Sequence, residues 1–232
     1  MEKRRLSKSQ IQLWLQCPYK WKLIYIDKLE SIQSPQQERG IDIHKQIEEF
    51  YKNISVMETT IPTICIKKGF KINENFLKFE QKRIKSCMKN GVFDEKYFKP
   101  LYQELKVEND NIQLRGIIDA VYLNPKDDKI IIIDWKSGKF RNYAKNDYRF
   151  ELAIYKEIFE REYNKEVGYW GMYFVDEDKL FFEKVEYKHI ARMFRIVNKV
   201  REEMSKEIYT PKQNYYCQYC QFQDKCQNDG NK

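Results

Sequence analysis

No stretch of this sequence approaches the roughly 18 consecutive apolar residues that a membrane span needs, so a transmembrane protein is not expected. An apolar signal segment is missing as well: Met1-Glu2-Lys3-Arg4-Arg5 leads straight into an amphipathic pattern. Both absences point to an intracellular, cytoplasmic protein that does not associate with membranes, in a compartment where disulfides are rare. Acidic residues are outnumbered, 35 Asp and Glu against 43 Lys and Arg, and the resulting charge of +8 and pI near 9.0 favour a polyanionic partner such as nucleic acid. Histidine is scarce, with only His44 and His189. A mean hydropathy of -0.79 reflects surface charge rather than disorder, because 42% of residues are hydrophobic and 17 Tyr and 14 Phe are present. A chain of 232 residues can build one well-cored domain.

The most informative stretch is Ile130-Ile131-Ile132-Ile133-Asp134-Trp135-Lys136-Ser137-Gly138. Four β-branched residues closed by a Ser-Gly break predict a strand buried on both faces. The period of two along a strand sends the Asp134 and Lys136 side chains to the same side of the sheet. A carboxylate that can hold a divalent metal beside a cation that can orient or deprotonate water is the minimum apparatus for metal-assisted phosphodiester hydrolysis. The plainer reading is a salt bridge at a strand end. Acid-any-Lys also occurs at Glu80/Lys82, Asp94/Lys96, Glu104/Lys106, Asp127/Lys129, Glu177/Lys179 and Glu186/Lys188, so the pattern alone decides nothing. Only Asp134/Lys136 ends an apolar strand just after a second candidate ligand, Asp119.

In chain order, Ser7 and Ser9 can cap an amphipathic helix that runs to about Leu29 and is interrupted at Cys17-Pro18. A second helix is predicted from Glu38 to about Asn53, with His44 beside its apolar stripe of Ile43, Ile47, Phe50 and Tyr51. His44 reads either as a satisfied polar residue or as a ligand. Residues 54–72 read as a loop, and Asn73 to about Lys89 as a basic helix whose Lys78, Lys82, Arg83, Lys85 and Lys89 either track a phosphate backbone or form a solvated face. Three strands follow, Leu101 to Val107, Gln113 to Leu123 and Lys129 to Trp135, joined by turn-type segments into an antiparallel meander. Asp119 stands inside the middle strand, where a bare carboxylate is costly to bury without a metal or cation; Gly116 before it permits close approach. A helix from Asp147 to about Asn164 puts Glu151 and Tyr155 on one face, within reach of the strand end. Strands at Val167 to Val175 and Leu180 to Val185 and a helix from Tyr187 to about Ile208 follow, with His189 expected on the surface.

The tail carries Cys217-Gln218-Tyr219-Cys220 and then Cys226. Three thiols this close in a reducing compartment suggest a shared metal. Closed tetrahedral zinc or a usual iron–sulfur cluster wants a fourth. Cys17, Cys65 and Cys87 are the candidates, and only Cys17 has a neighbouring proline to shape its backbone.

Taken together, the motifs resemble the PD-(D/E)XK nuclease superfamily, specifically its RecB-like branch with an iron–sulfur cluster. Leu6-Ser7-Lys8-Ser9 through Cys17-Pro18-Tyr19 resembles the opening helix, Gly40 to His44 the His motif, Gly116-Ile117-Ile118-Asp119 the first-acid strand, and Asp134-Trp135-Lys136-Ser137-Gly138 the Asp-x-Lys motif. One cysteine far upstream of three is similar to the arrangement in the AddB nuclease domain and in CRISPR-associated adaptation exonucleases of the Cas-four type. The resemblance implies an α/β (α+β) restriction-endonuclease-like core, a central mixed sheet with the three-strand meander flanked by helices, and a Cys-rich tail joined to the N-terminal helix. It implies a single nuclease domain in which residues 1–30 and 209–232 form the cluster region, 31–100 a helical insertion and 101–186 the catalytic core. His44, Asp119, Asp134 and the Trp135 carbonyl would hold Mg²⁺ or Mn²⁺, and Lys136 would position or activate water. A family Gln-x-x-x-Tyr motif is replaced by Glu151 to Tyr155, which keeps an acceptor, loses an amide donor and adds charge. Glu104 is either an additional acid or a strand-surface residue paired with Lys106. Cys17, Cys217, Cys220 and Cys226 would carry a [4Fe-4S] cluster that staples the N-terminal helix to the tail.

These readings lead to a metal-dependent exonuclease acting on single-stranded DNA or duplex ends and overhangs, in CRISPR spacer acquisition or in recombination or viral DNA processing, with CRISPR adaptation or recombination proteins as partners. A nucleic-acid-binding or complex-forming module that keeps the fold with little catalysis is the second reading. A zinc-stapled binder, with Zn²⁺ at the cysteine site, is the third.

Overall fold

The computed structural model describes residues 4–32, 34–58, 61–89 and 91–229, apart from the side chains of 227–229. Residues 1–3 and 230–232, the outer ends of the expected cluster region and the start of the basic N-terminal stretch, lie outside the described residues. Ser7 opens α1 (Lys8–Gln16) through a capping box with Gln10. Cys17 ends α1 and caps α2 (Pro18–Tyr25), and Pro18 takes the first helical position, where no N–H is needed. The expected interruption is therefore a clean junction between two helices. Ser34 and Pro35 start α3 (Pro35–Phe50) in the same way.

The next region departs from expectation. Within the predicted loop, β1 (Ile54–Met57) and β2 (Thr63–Ile66) pair as an antiparallel hairpin. Ile54, Val56 and Ile64 pack on the core under α3, so a face four residues long, too short to register as a period, is enough once a partner surface exists. The predicted basic helix stops early: α4 (Glu74–Arg83) passes into a 3-10 turn, and β3 (Met88–Lys89) pairs with β4 (Val92–Phe93) before α5 (Glu95–Phe98). Residues 31–100 are thus not purely helical. Arg83 is not on a solvated face either, because its guanidinium donates to the fully buried Glu80 and to the carbonyls of Tyr97 and Phe98. A guanidinium spent on buried acceptors cannot track a phosphate backbone.

The main sheet contains β5 (Tyr102–Asn109), β6 (Leu114–Leu123) and β7 (Ile130–Lys136), followed by α6 (Lys145–Tyr163), β8 (Val167–Phe174) and β9 (Lys179–Lys184). The spatial order is β5-β6-β7-β8-β9, antiparallel except for the parallel β7–β8 pair. Parallel neighbours require a crossover, which α6 supplies. The chain ends with α7 (Tyr187–Ser205) and α8 (Gln223–Asp229). This is the expected mixed sheet flanked by helices, with the meander at its first three strands.

Along β7 the isoleucines divide between two cores. Ile130 and Ile132 join Leu152, Ile158 and Trp170 under α6 and α7, whereas Ile133 joins Phe50, Phe76 and Tyr173 under α3 and α4. Each fully buried isoleucine contributes about 1.5–3 kcal/mol. That double burial fixes β7, and with it the direction of the polar groups at its end. His189 is a correction: expected on the surface, it is 8% exposed and its ring centroid lies 5.9 Å from that of Trp170. It borders the apolar stripe of Ile190, Met193 and Val197 by which α7 packs on the sheet.

Candidate active site

Asp119 and Asp134 stand on neighbouring strands, one step beyond the Ala120–Ile133 pair. Both are buried. Asp119 Oδ2 accepts the Trp135 N–H at 2.7 Å. Burial, reinforced by the nearby Asp134 charge, pushes the Asp119 carboxyl well above the usual carboxylate range. Asp134 is pushed up to about 6, chiefly by burial, with Lys136 opposing and Glu151 adding to the shift. Two acids held side by side under these conditions form a strongly cation-seeking locus.

His44 reaches this locus from α3. Its Nε2 donates to the Trp135 carbonyl at 3.0 Å, and its Nδ1 lies 3.4 Å from Glu104 Oε1 and 3.5 Å from Asp119 Oδ1. Burial pulls the imidazole down, but the Glu104 hydrogen bond and the charges of Asp119 and Asp134 outweigh it and raise the pKa to about 9. Glu104 therefore belongs to the site and makes no pair with Lys106 among the described residues. Its backbone sits in the left-handed region, φ 46°, where the ladder between β5 and β6 skips one pair. A non-glycine residue in that region stores of order 1 kcal/mol or more of strain, a feature concentrated at functional positions.

One ligand atom each from His44, Glu104 and Asp119 lies within 4.8 Å of the others. The Trp135 carbonyl adjoins them through His44. Asp134 stands apart from this trio: its Oδ2 lies 2.7 Å from Lys136 Nζ, a charge contact without hydrogen-bond alignment, and is buried with no hydrogen-bond partner. A dense set of carboxylate oxygens and one imidazole nitrogen fits a divalent cation.

Lys136 also contacts Glu151 Oε1 at 3.2 Å, and the surrounding acids raise its pKa despite burial. Glu151 in turn accepts from Lys8 at 2.9 Å and lies 3.4 Å from the Tyr155 hydroxyl. Burial disfavours its charge, but Lys136 and Lys8 together hold its pKa below the usual glutamate range. The extra negative charge at this position is thus neutralised inside the protein. Lys8 is the site residue that sequence reasoning missed. Its only signal was indirect, since a buried glutamate beside one lysine calls for a second cation. Gly116 is required by contact rather than by torsion: a Cβ there would stand 2.7 Å from Tyr155 Cε1.

At the other end of α1, Cys17, Cys217, Cys220 and Cys226 all line one cavity of about 450 Å³. The Lys20 N–H donates to Cys17 Sγ at 3.4 Å and the Asn214 N–H to Cys217 Sγ at 3.3 Å. Lys212 and Asn214 also donate to the carbonyls of Leu15 and Gln16, tying tail to helix. Cys65 lies in β2, and Cys87 is buried with its thiol donating to the carbonyls of Arg83 and Tyr97; both are away from this cavity.

No curated protein matches the sequence. Among solved structures, one from Eubacterium rectale, named provisionally as an exonuclease, aligns over 98% of this chain and 88% of its own at 11% identity and a TM-score of 0.52, a likeness of fold alone. A second, SSO0001, aligns over 96% and 85% at 16% identity and a TM-score of 0.48, too slight to argue from. The profile of the PD-(D/E)XK nuclease superfamily matches residues 5–227. With nearly the whole chain matched, and acids, histidine and lysine converging at one end of a mixed sheet, the chain belongs to the PD-(D/E)XK nuclease superfamily.

Proposed function

We propose that this nuclease is a metal-dependent DNA exonuclease that hydrolyses phosphodiester bonds of single-stranded DNA or of duplex ends and overhangs, in CRISPR spacer acquisition or in recombination or viral DNA processing. The observation that carries the reading is the convergence of His44, Glu104 and Asp119 on one point, beside the Asp134/Lys136 pair. His44, Glu104, Asp119, Asp134 and the Trp135 carbonyl would hold Mg²⁺ or Mn²⁺. A bound ion of this kind polarises a phosphoryl oxygen and lowers the pKa of water. Lys136 presents an ammonium at the same place, where it orients water and offsets charge gathering on the phosphate. Glu151 and Tyr155 hold that ammonium in position. End-labelled single- and double-stranded DNA incubated with the protein and Mn²⁺ is expected to shorten progressively from its ends. No cleavage, or an Asp134→Ala variant that cleaves like wild type, overturns the reading.

We infer that Cys17, Cys217, Cys220 and Cys226 carry a [4Fe-4S] cluster. Four thiols facing one cavity support a four-cysteine site, and two of them already accept backbone N–H groups, the bonds that steady thiolates. Anaerobically purified protein is expected to be brown and to contain iron and acid-labile sulfide. Stoichiometric zinc without iron overturns this assignment.

A further inference from the structure

The active-site cavity does not end at the acids. About 820 Å³ in volume, it extends along β5 and β6 to Lys106, Ile117 and Arg115, and Arg115 also lines an adjoining cavity of about 890 Å³. Lys106 faces Ile117 and Glu108 faces Arg115 across the two strands, so these four side chains share one face of the ribbon. The ribbon starts where the ladder skips Glu104 and Asp119 and runs four residues from Asp119 to Arg115, about 13 Å at roughly 3.3 Å per residue.

The acids of the ribbon are drawn away from its cations. Glu108, the cross-strand neighbour of Arg115, is bonded instead to Arg5 at 3.1 Å, and Arg5 also bonds Asp110 at 2.6 Å. Arg115 is left exposed, and its guanidinium makes no ion pair or hydrogen bond among the described residues; the Lys106 ammonium is in the same condition. Between them, Ile117 is 45% exposed, an apolar step suited to a sugar or a base face. Beyond Arg115, the second cavity adds Arg4, Lys28 and the rings of Tyr25 and Tyr209, with Asp110 and Glu207 as its acids. Two unpartnered cations along a groove, with the half-buried Tyr25 and Tyr209 rings packed on Trp21 in the cavity beyond, offer an unpaired strand phosphate contacts and a place to lay a base.

Resting on the nuclease reading above, we propose that the β5–β6 ribbon and the cavity beyond it are the track for a single-stranded polynucleotide, with Lys106 and Arg115 contacting phosphates a few nucleotides from the bond to be cut. These two residues bind and position the strand and take no part in the chemistry. Glu108 and Asp110 share the single positive charge of Arg5, which offsets one of their two negative charges and so weakens their repulsion of the strand.

Fluorescence anisotropy of a labelled oligothymidylate in EDTA tests the track without calling on catalysis, and cleavage of the same oligonucleotide in Mn²⁺ is read separately. Wild type is expected to bind. Lys106→Glu with Arg115→Glu is expected to weaken binding at least tenfold and to flatten the slope of log affinity against log salt by about 1.4, two contacts at roughly 0.7 each on a single strand. An unchanged melting temperature confirms that the double variant folds, and Lys106→Gln with Arg115→Gln gives a milder second measurement if it does not. Binding and salt slope equal to wild type in either pair overturn the track, as does a wild type that binds duplex but not single strand. Cleavage with no change in binding leaves the nuclease standing and removes the track; altered binding without any cleavage does the reverse.

Discussion

Asp119→Asn is expected to reduce Mn²⁺-dependent cleavage about a thousandfold while making the metal-free protein more stable. The first half follows from charge. The carboxylate stands among His44, Glu104 and Asp134, and removing one ligand charge forfeits several kcal/mol of transition-state stabilisation, roughly three decades at 1.36 kcal/mol each. The second half follows from linkage. The Asp119 pKa is raised by burial and by Asp134, so the folded chain holds a proton that the unfolded chain releases near pH 3.9. That contribution is fully present below the unfolded value and is lost as pH rises through the raised folded value, so the ionised Asp119 beside Asp134 is a liability. An amide keeps an oxygen for the Trp135 N–H without the charge. Single-turnover cleavage and thermal melting in EDTA check the two halves, and a variant that loses both activity and stability contradicts the assignment of Asp119 as a cation-seeking group. Opposite signs in the two measurements separate a functional acid from a structural one.

Glu80→Ala is expected to destabilise the fold by about 3–5 kcal/mol, the usual consequence of stripping the partner from a buried charge. Glu80 is fully buried and accepts from Arg83 Nε at 2.9 Å and from Nη2 at 2.7 Å. The Arg83 guanidinium lies over the Tyr122 ring, 4.4 Å from its centroid, and donates to the Tyr51 hydroxyl, so it joins α4 to the sheet. Although burial opposes its charge, Glu80 keeps its pKa well above the ordinary arginine value, and the variant must bury the cation unpaired. Urea denaturation measures the loss. A change below about 1 kcal/mol contradicts this account, and Glu80→Gln, which keeps the acceptor and removes the charge, is expected to fall between the two.

How much of this was legible depended on whether a residue's partner lay nearby in sequence or was fixed by a period. Ile130 to Lys136 declared itself because four β-branched residues define a doubly buried strand and the period of two then dictates where Asp134 and Lys136 go. Cys17-Pro18 was legible because proline both ends one helix and starts the next. Glu104 was legible only as one of two readings, because what decides between them is a left-handed torsion and His44, 60 residues earlier in the chain. Lys8 was invisible for the same reason, as its partner Glu151 comes from a helix that touches α1 only in the fold. Arg83 misled because a basic helix face looks identical on paper whether it meets solvent or a buried glutamate. Residues 54–66 misled because strands of four residues carry too few turns of their period to announce themselves.

The first helix pair and the tail are tied to one another: Lys212 and Asn214 reach the carbonyls at the end of α1, and Gln221 bonds the backbone at Glu30 and Ile32. A ribosome delivers these partners far apart in time. Some 200 residues separate Cys17 from Cys217, which at 5–20 residues per second is roughly 10 to 40 s of synthesis. Throughout that interval the nascent chain presents Trp14, Trp21 and an unmatched thiol with no tail to cover them. The first helix pair is therefore covered only once the tail has been made, and it is the part that most needs shielding in the interval.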